Sequence, residues 1–416
     1  MKTLHITNAW HGSSGGIRTF YRALMEEANR AGHTMRLVVP GERSEVEAAG
    51  EYGKIYYVAG PRAPFCPSYR VIYPHRALLP GGEVHRILRD EEPDLVEICD
   101  KYTMNYAAGL LRTGRLPGIR LRPTVIGLSC ERFEQSVRNY LCNAQAADWL
   151  SELYLRWLYF PMADHHIAVS GYVASELRDV SGGHKVERGV WIGEMGVDAD
   201  VFAAAKRDEK LRAELGGGPS NRLLVYAGRL SREKNIRLLF GMLAALSEEY
   251  RLLLVGAGDE KAELQREAEA RAPGRVALVG FRSEKRELAQ LLVCCDAFVH
   301  PNATEPFGIG PLEAMAAGLP LVAPDRGGVT TYANARNAWL CPPTAEGFAA
   351  GVRAVFADAP ERAARVSAAR AAALARSWPA AAAHYLRLYR ELHARVSREG
   401  AYSLEPAFFS TRGYVG

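Results

Sequence analysis

The stretch Glu305-Pro-Phe-Gly-Ile-Gly-Pro-Leu-Glu-Ala-Met-Ala-Ala-Gly-Leu-Pro320 decides the fold of this chain. One apolar run, Ala297-Phe-Val-His300, precedes it, and another, Leu319-Pro-Leu-Val-Ala323, follows it. This order predicts strand, glycine-rich loop, helix, strand. Such a loop turns backbone N–H groups and a helix N-terminus toward one point, where an anion is held. Pro311 fits the first helical turn, whose amides need no helical acceptor. The spacing puts Glu305 on the loop and Glu313 about two turns into the helix. Two carboxylates around an anion cradle suit a ligand with both phosphates and hydroxyls. The competing reading is an ordinary βαβ unit with a solvated glutamate pair.

Working outward, two βα series are visible. The first has apolar runs at Leu4–Thr7, Met35–Val39, Asp94–Ile98, Thr124–Leu128 and His166–Val169. The second has runs at Leu223–Ala227, Arg251–Val255, Arg275–Val279, Ala297–His300 and Pro320–Ala323. Alternating strands and helices predict α/β folding with doubly wound parallel sheets. A chain of 416 residues calls for two such domains. The boundaries are placed at 1–195 and 196–377, with the C-terminal helix 378–416 completing the first domain and the linker near 193–200. Residues 132–160 read as helix. The alanine-rich stretch from Phe348 to Arg376 reads as helix broken by Ser377-Trp378-Pro379.

Composition narrows the function. Hydrophobic content of 48% with 24% charged residues is globular. The net charge of +5 is too mild for a nucleic-acid surface, so no nucleic-acid partner is expected. The seven cysteines (Cys66, Cys99, Cys130, Cys142, Cys294, Cys295, Cys341) form no Cys-x-x-Cys pair. Reduced thiols, a cytoplasmic location and no metal site follow as expectations. The apolar run of the N-terminus is too short for a signal peptide, and no segment reaches the roughly 20 apolar residues of a membrane span.

Gly228-Arg229-Leu-Ser-Arg-Glu-Lys234 follows the first strand of the second series. A cation at each end of a short loop can clamp a diphosphate, Arg with a fork of donors and Lys as a point charge. Alone, it reads more readily as a solvated basic loop. Gly256-Ala-Gly258 and Gly280-Phe281-Arg282 end the next two strands, where ligands of doubly wound sheets bind. A structural turn explains Gly256 and Gly258 equally well.

The Glu305–Pro320 segment, with the Gly327-Gly328 turn and the Arg229–Lys234 loop, closely resembles the signature of retaining glycosyltransferases of family 4, which have the GT-B fold of two Rossmann-like domains. The resemblance covers essentially the whole chain. It implies that Arg229 and Lys234 hold the phosphates of a nucleotide-sugar donor and stabilise the leaving diphosphate. By the same pattern Glu313 binds the ribose hydroxyls and Glu305 contacts the donor sugar. Phe307, Gly308 and Ile309 lie against sugar and phosphates. Gly256, Phe281 and Arg282, at strand ends where ligands of doubly wound sheets bind, are expected to enclose the base, and by the family pattern Gly16, closing the loop His11–Gly16, approaches the diphosphate. Without the resemblance, Glu305 and Glu313 read as an acid/base pair. The family instead is thought to react on the donor's front face, with no metal or other cofactor.

Two positions depart from the family. Many members carry a donor-contacting histidine where this chain has Ser129-Cys130, and neither residue reproduces an imidazole. The usual Pro-Asn before Gly-Val-Asp is Glu194-Met195. The segment holding Trp149, Leu150, Leu153, Tyr154, Trp157, Leu158 and Phe160 reads first as an interior or interdomain helix and second as a lipid-docking surface. A peripheral contact with the inner face of the membrane belongs to that second reading. The resulting expectation is a hexosyltransferase moving mannose or glucose from a GDP- or UDP-sugar to a hydroxyl acceptor such as a glycolipid or surface glycan. Its rivals are a catalytically silent nucleotide-sugar-binding subunit and a nucleotide-sugar epimerase.

Overall fold

The computed structural model describes residues 1–10, 15–63, 66–140, 144–181 and 189–398. The chain divides into two units, Met1–Gly193 with the chain from Ala381 onward, and Glu194–Ala380. Among the described residues, the first unit holds β1 (Lys2–Thr7), β2 (Thr34–Gly41), β3 (Glu45–Ala48), β4 (Gly53–Ala59), the short ribbon β5 (Arg62–Ala63) and β6 (Cys66–Arg70), then β7 (Leu95–Cys99), β8 (Thr124–Ser129), β9 (His165–Ala168) and β10 (Val190–Ile192). Eight of these form a sheet in the order β10-β9-β8-β7-β1-β2-β4-β3. Every neighbouring pair is parallel except the edge pair β3–β4.

The second unit holds β11 (Arg222–Ala227), β12 (Tyr250–Val255), β13 (Val276–Val279), β14 (Ala297–Val299), β15 (Leu321–Pro324) and β16 (Trp339–Cys341). They order as β13-β12-β11-β14-β15-β16, all parallel. Leu223 to Tyr226 and Leu252 to Val255 are buried without interruption, as a sheet covered by helices on both faces requires. The core packs Leu224, Leu239, Phe240, Leu252, Val299 and Phe348 together.

Several expectations change. Residues 132–160 are not one helix: Phe133–Tyr140 and Ala144–Tyr154 are separate, and a π-helical turn, Leu155–Tyr159, follows. Across the segment Leu155, Tyr159 and Phe160 are buried and Tyr154 is partly buried, so these do not join an outer surface, whereas Trp149, Leu150, Leu153, Trp157 and Leu158 are exposed, Trp149 at 63%. The interior reading of this segment is therefore wrong for its outer face. The alanine-rich stretch is two helices, Ala345–Ala357 and Ala359–Leu374, separated at Asp358, whose side chain caps the second by accepting from the Glu361 N–H. The expected break is present: Ala359–Leu374 ends, residues 375–377 are not helical, and the last helix, Trp378–Arg398, begins with Pro379 in its first turn, where it breaks no hydrogen bond.

Within the first unit this helix is pinned by one buried carboxylate. Glu97 of β7 accepts from the hydroxyls of Tyr389 and, at 2.9 Å, Tyr21, and lies 2.9 Å from His5 Nδ1. The Tyr385 hydroxyl also donates to the Gly193 carbonyl, 2.5 Å away. The tail beyond Arg398 lies outside the described residues.

Candidate active site

The second sheet presents its strand C-termini as a row of loops, and most of the expected residues are on them. β14 ends in His300-Pro-Asn302, and Glu305 follows on the loop. Lys234, in the short 3₁₀ turn Arg232–Lys234 beyond β11, donates to both Glu305 oxygens at 2.9 and 2.8 Å. Asn302 Nδ2 donates to the same carboxylate at 2.8 Å, and His300 Nε2 stands 3.7 Å from it.

Burial alone would raise the Glu305 pKa. The Lys234 charge, with help from His300 and Asn302, overrides it and brings the carboxyl down to about 2. Burial lowers His300 to about 4, so its ring is neutral at pH 7. Glu305 is therefore a permanent carboxylate at neutral pH and cannot serve as a proton donor there.

The loop is held by close backbone approach. Gly308 caps the helix Ile309–Ala316 at φ 89°, a left-handed conformation that favours glycine, and its carbonyl accepts from the Tyr332 hydroxyl. Gly328 N–H donates to the Glu305 carbonyl at 2.6 Å. A Cβ on Gly328 would sit 1.9 Å from the Pro306 carbonyl oxygen. Phe307 is buried, its ring 5.2 Å from that of Tyr332. Ile309 opens the helix, partly exposed.

Glu313 is the fifth residue of that helix, one turn in and not two. It is buried and ion-paired to Lys285 of the helix Lys285–Val293. Burial raises its pKa, and Lys285 opposes the rise. The two glutamates thus carry separate cationic partners: Lys234 for one, Lys285 for the other.

Arg229 stands on the same loop as Lys234 but is 56% exposed, with Nη2 3.6 Å from Glu233. The structure brings Lys234 to Glu305 and leaves Arg229 turned toward solvent. Gly256, at φ 150°, closes against the neighbouring loop: its Cβ would meet the Gly228 carbonyl oxygen at 1.9 Å. Backbone packing therefore accounts for this glycine. It lays the β12 loop along the Arg229–Lys234 loop through the Leu230 N–H to Ala257 carbonyl bond of 2.8 Å. Phe281, beyond β13, is exposed at 54%, and Arg282 beside it is partly exposed.

The remaining expected residues belong to the first unit. Gly16 lies in the first turn of the helix Gly15–Arg30 and does not close a loop, while residues 11–14 lie outside the described residues. Ser129 ends β8 fully buried, its hydroxyl 3.0 Å from that of Tyr159. Cys130 is the partly exposed member of the pair.

Lys285, Asn302, His300 and Tyr332 escaped the sequence reading. Asn302 and His300 had a usable signal, being polar groups at the end of an apolar run and within five residues of Glu305. Lys285 had none, since it meets Glu313 only through the packing of two helices.

Two parallel α/β units, with a cation-paired glutamate loop at the strand C-termini of one, define a GT-B glycosyltransferase that uses a nucleotide sugar. Known proteins agree. Residues 14–190 match the family model described as Glycosyltransferase Family 4, and residues 207–372 match Glycosyl transferases group 1. The chain belongs to glycosyltransferase family 4.

It is 28% identical over 389 residues to a GDP-mannose-dependent alpha-(1-6)-phosphatidylinositol dimannoside mannosyltransferase of Mycobacterium tuberculosis, covering 93% of this chain and 95% of that protein. A GDP-mannose-dependent alpha-mannosyltransferase of Corynebacterium glutamicum is 26% identical over 333 residues, covering 79% of this chain and 73% of that one. Among solved structures, sucrose-phosphate synthase of Thermosynechococcus elongatus superposes with a TM-score of 0.73 at 20% identity, covering 95% of this chain and all of that one. The Anabaena protein HepE, in complex with UDP and glucose, gives 0.67 at 20% identity over 94% of this chain and 99% of that one.

Proposed function

We propose that the protein is a retaining, metal-independent mannosyltransferase that takes mannose from GDP-mannose and places it on a hydroxyl of a lipid-borne glycan. The reading rests above all on the Lys234–Glu305 pair at the N-terminal end of the helix Ile309–Ala316. On binding, the donor diphosphate lies against Lys234, Arg229 and the first amides of that helix, where a leaving diphosphate's charge is stabilised. Glu305, held ionised, accepts hydrogen bonds from the sugar hydroxyls. Glu313 does the same for the ribose. No residue of this loop supplies the catalytic base. The acceptor's proton passes to the leaving phosphate on the front face of the sugar. Mannose and GDP come from the relatives' names, and retention comes from the family resemblance.

The lipid-borne acceptor is argued from the exposed ridge Trp149, Leu150, Leu153, Trp157 and Leu158. Aromatic and aliphatic side chains at helical spacing suit the headgroup boundary of a bilayer, giving a peripheral contact on its inner face. Among the described residues no helix is long and apolar enough to cross a membrane. Calorimetric titration with GDP, UDP, ADP and their sugars, with and without EDTA, tests the donor. Micromolar GDP binding that EDTA leaves unchanged is expected. Binding of UDP or ADP alone would replace the donor, and loss of binding in EDTA would end the metal-independent mechanism.

A further inference from the structure

The first unit, which does not contain the glutamate loop, holds a pair of thiols. Cys99 is the last residue of β7, and Cys130 directly follows the last residue of β8. These strands are parallel neighbours, with Ile98 level with Gly127. Both sulfurs therefore stand at or just beyond the C-terminal ends of adjacent strands. They lie 3.7 Å apart, as a thiol–thiol hydrogen bond. Both residues are partly exposed, whereas Cys294, Cys295 and Cys341 are buried.

Two further contacts hold the segments bearing these sulfurs together. Lys101 Nζ donates to the Glu131 carbonyl at 2.5 Å, and the Tyr102 hydroxyl donates to the Glu131 carboxylate at 2.8 Å. The residues just after Cys99 are thereby tied to the residue just after Cys130. The two cysteine backbones are thereby kept near each other, which gives one thiol a high effective concentration about the other. The hydrogen bond to Cys99, and then burial, hold the Cys130 thiol well above its ordinary pKa. A disulfide bond of ~2.05 Å requires the sulfurs to close by roughly 1.7 Å, within reach of side-chain rotation and a small yield of the segment after β8.

We propose that Cys99 and Cys130 form a reversible intramolecular disulfide, an oxidation site at the C-terminal edge of the first sheet that reacts with small-molecule disulfides of the glutathione type. One cysteine thiolate attacks the glutathione disulfide, forming a mixed disulfide and releasing one glutathione thiolate. The second cysteine attacks the mixed disulfide at the protein sulfur and releases the other glutathione. The two thiol protons end on the two glutathione thiols, and the electron pair lost by the cysteines reduces the glutathione disulfide. By the family resemblance Ser129 or Cys130 stands at the position of a donor-contacting histidine, so drawing the Cys130 sulfur onto Cys99 displaces that segment and slows turnover. That consequence rests on the function proposed above, whereas the bond itself does not.

The test uses the full chain. It is incubated with oxidised glutathione, its free thiols are blocked with iodoacetamide, and the digest is analysed by mass spectrometry. The expected product joins the Cys99 and Cys130 peptides, lighter by two hydrogens than their sum, and disappears with dithiothreitol. Cys99→Ser is expected to give glutathione on Cys130 instead. Recovery of both cysteines alkylated, or each carrying its own glutathione, overturns the proposal. GDP-mannose hydrolysis by the wild type is expected to fall on oxidation and return on reduction, with no such cycle in the double variant Cys99→Ser with Cys130→Ser. A linked peptide with unaltered hydrolysis overturns the effect on turnover. A chain that hydrolyses no donor in either state overturns the functional reading and leaves the peptide result standing.

Discussion

Replacing Lys234 by Met removes the cation that holds both oxygens of a buried carboxylate. In the wild type, Glu305 sits at about 2 against an ordinary 4.5. That difference corresponds to ~3 kcal/mol in favour of the ionised form. Lys234 and Glu305 side chains are only 15% and 12% exposed, so solvent screens little of it. Breaking a buried pair by removing one partner costs about 3–5 kcal/mol. Asn302 still donates to the orphaned carboxylate. The lower end, about 3 kcal/mol, is therefore expected.

The pH dependence identifies the cause. A carboxyl lowered in the folded state contributes stability that is present above its unfolded pKa near 4.5 and lost as pH falls through 2. With Lys234 gone, burial dominates and the folded pKa rises above the unfolded value. The sign then reverses, and the Glu305 contribution grows as pH falls. Urea unfolding of the wild type, Lys234→Met, Glu305→Gln and the double variant, at pH 7 and pH 4.5, measures this. Lys234→Met is expected to lose most at pH 7, and the double variant to recover much of the loss. A cost below about 1 kcal/mol at pH 7, with no recovery in the double variant, would show that the pair behaves like a surface ion pair and refute the reasoning.

Three other outcomes follow. Gly328→Ala is expected to displace the Glu305 loop, because its Cβ would sit 1.9 Å from the Pro306 oxygen; calorimetry should then show nucleotide binding weakened by at least tenfold while circular dichroism stays that of the wild type. Tyr389→Phe leaves the buried Glu97 carboxylate short of one donor, a loss of about 1–3 kcal/mol in the unfolding free energy. Trp149→Ala with Trp157→Ala removes the most prominent rings of the exposed ridge. Vesicle co-sedimentation should fall by tenfold or more if each ring buries apolar surface worth roughly 1.5 kcal/mol, whereas nucleotide binding should be unchanged.

Glycine and proline made the glutamate loop legible: Gly308 and Pro311 punctuate it, and the flanking apolar runs are too short for anything but strands. The same punctuation marked the break at Ser377-Trp378-Pro379, where one helix has ended at Leu374 and the next begins at Trp378 with proline in its first turn. The segment 132–160 misled because its Leu, Trp and Tyr residues serve two faces. Tyr159 goes inward to Ser129, while Trp149 and Trp157 go outward, and the π turn that contains Trp157 and Tyr159 shifts the register. Pairings distant in sequence left no local trace. Tyr389 reaches Glu97 across 292 positions, and Lys285 reaches Glu313 across 28. The sheet edge formed by β3 and β4 went unread, since Glu45-Val-Glu-Ala48 is wholly exposed and carries no apolar run.

The stereochemistry of donor hydrolysis tests the central claim without an identified acceptor. The first mannose released from GDP-mannose is followed by proton NMR before its anomers equilibrate, with EDTA present. Retaining transfer to water predicts that the alpha anomer appears first and that EDTA leaves the rate unchanged. The beta anomer appearing first, or a rate abolished by EDTA, would contradict the account.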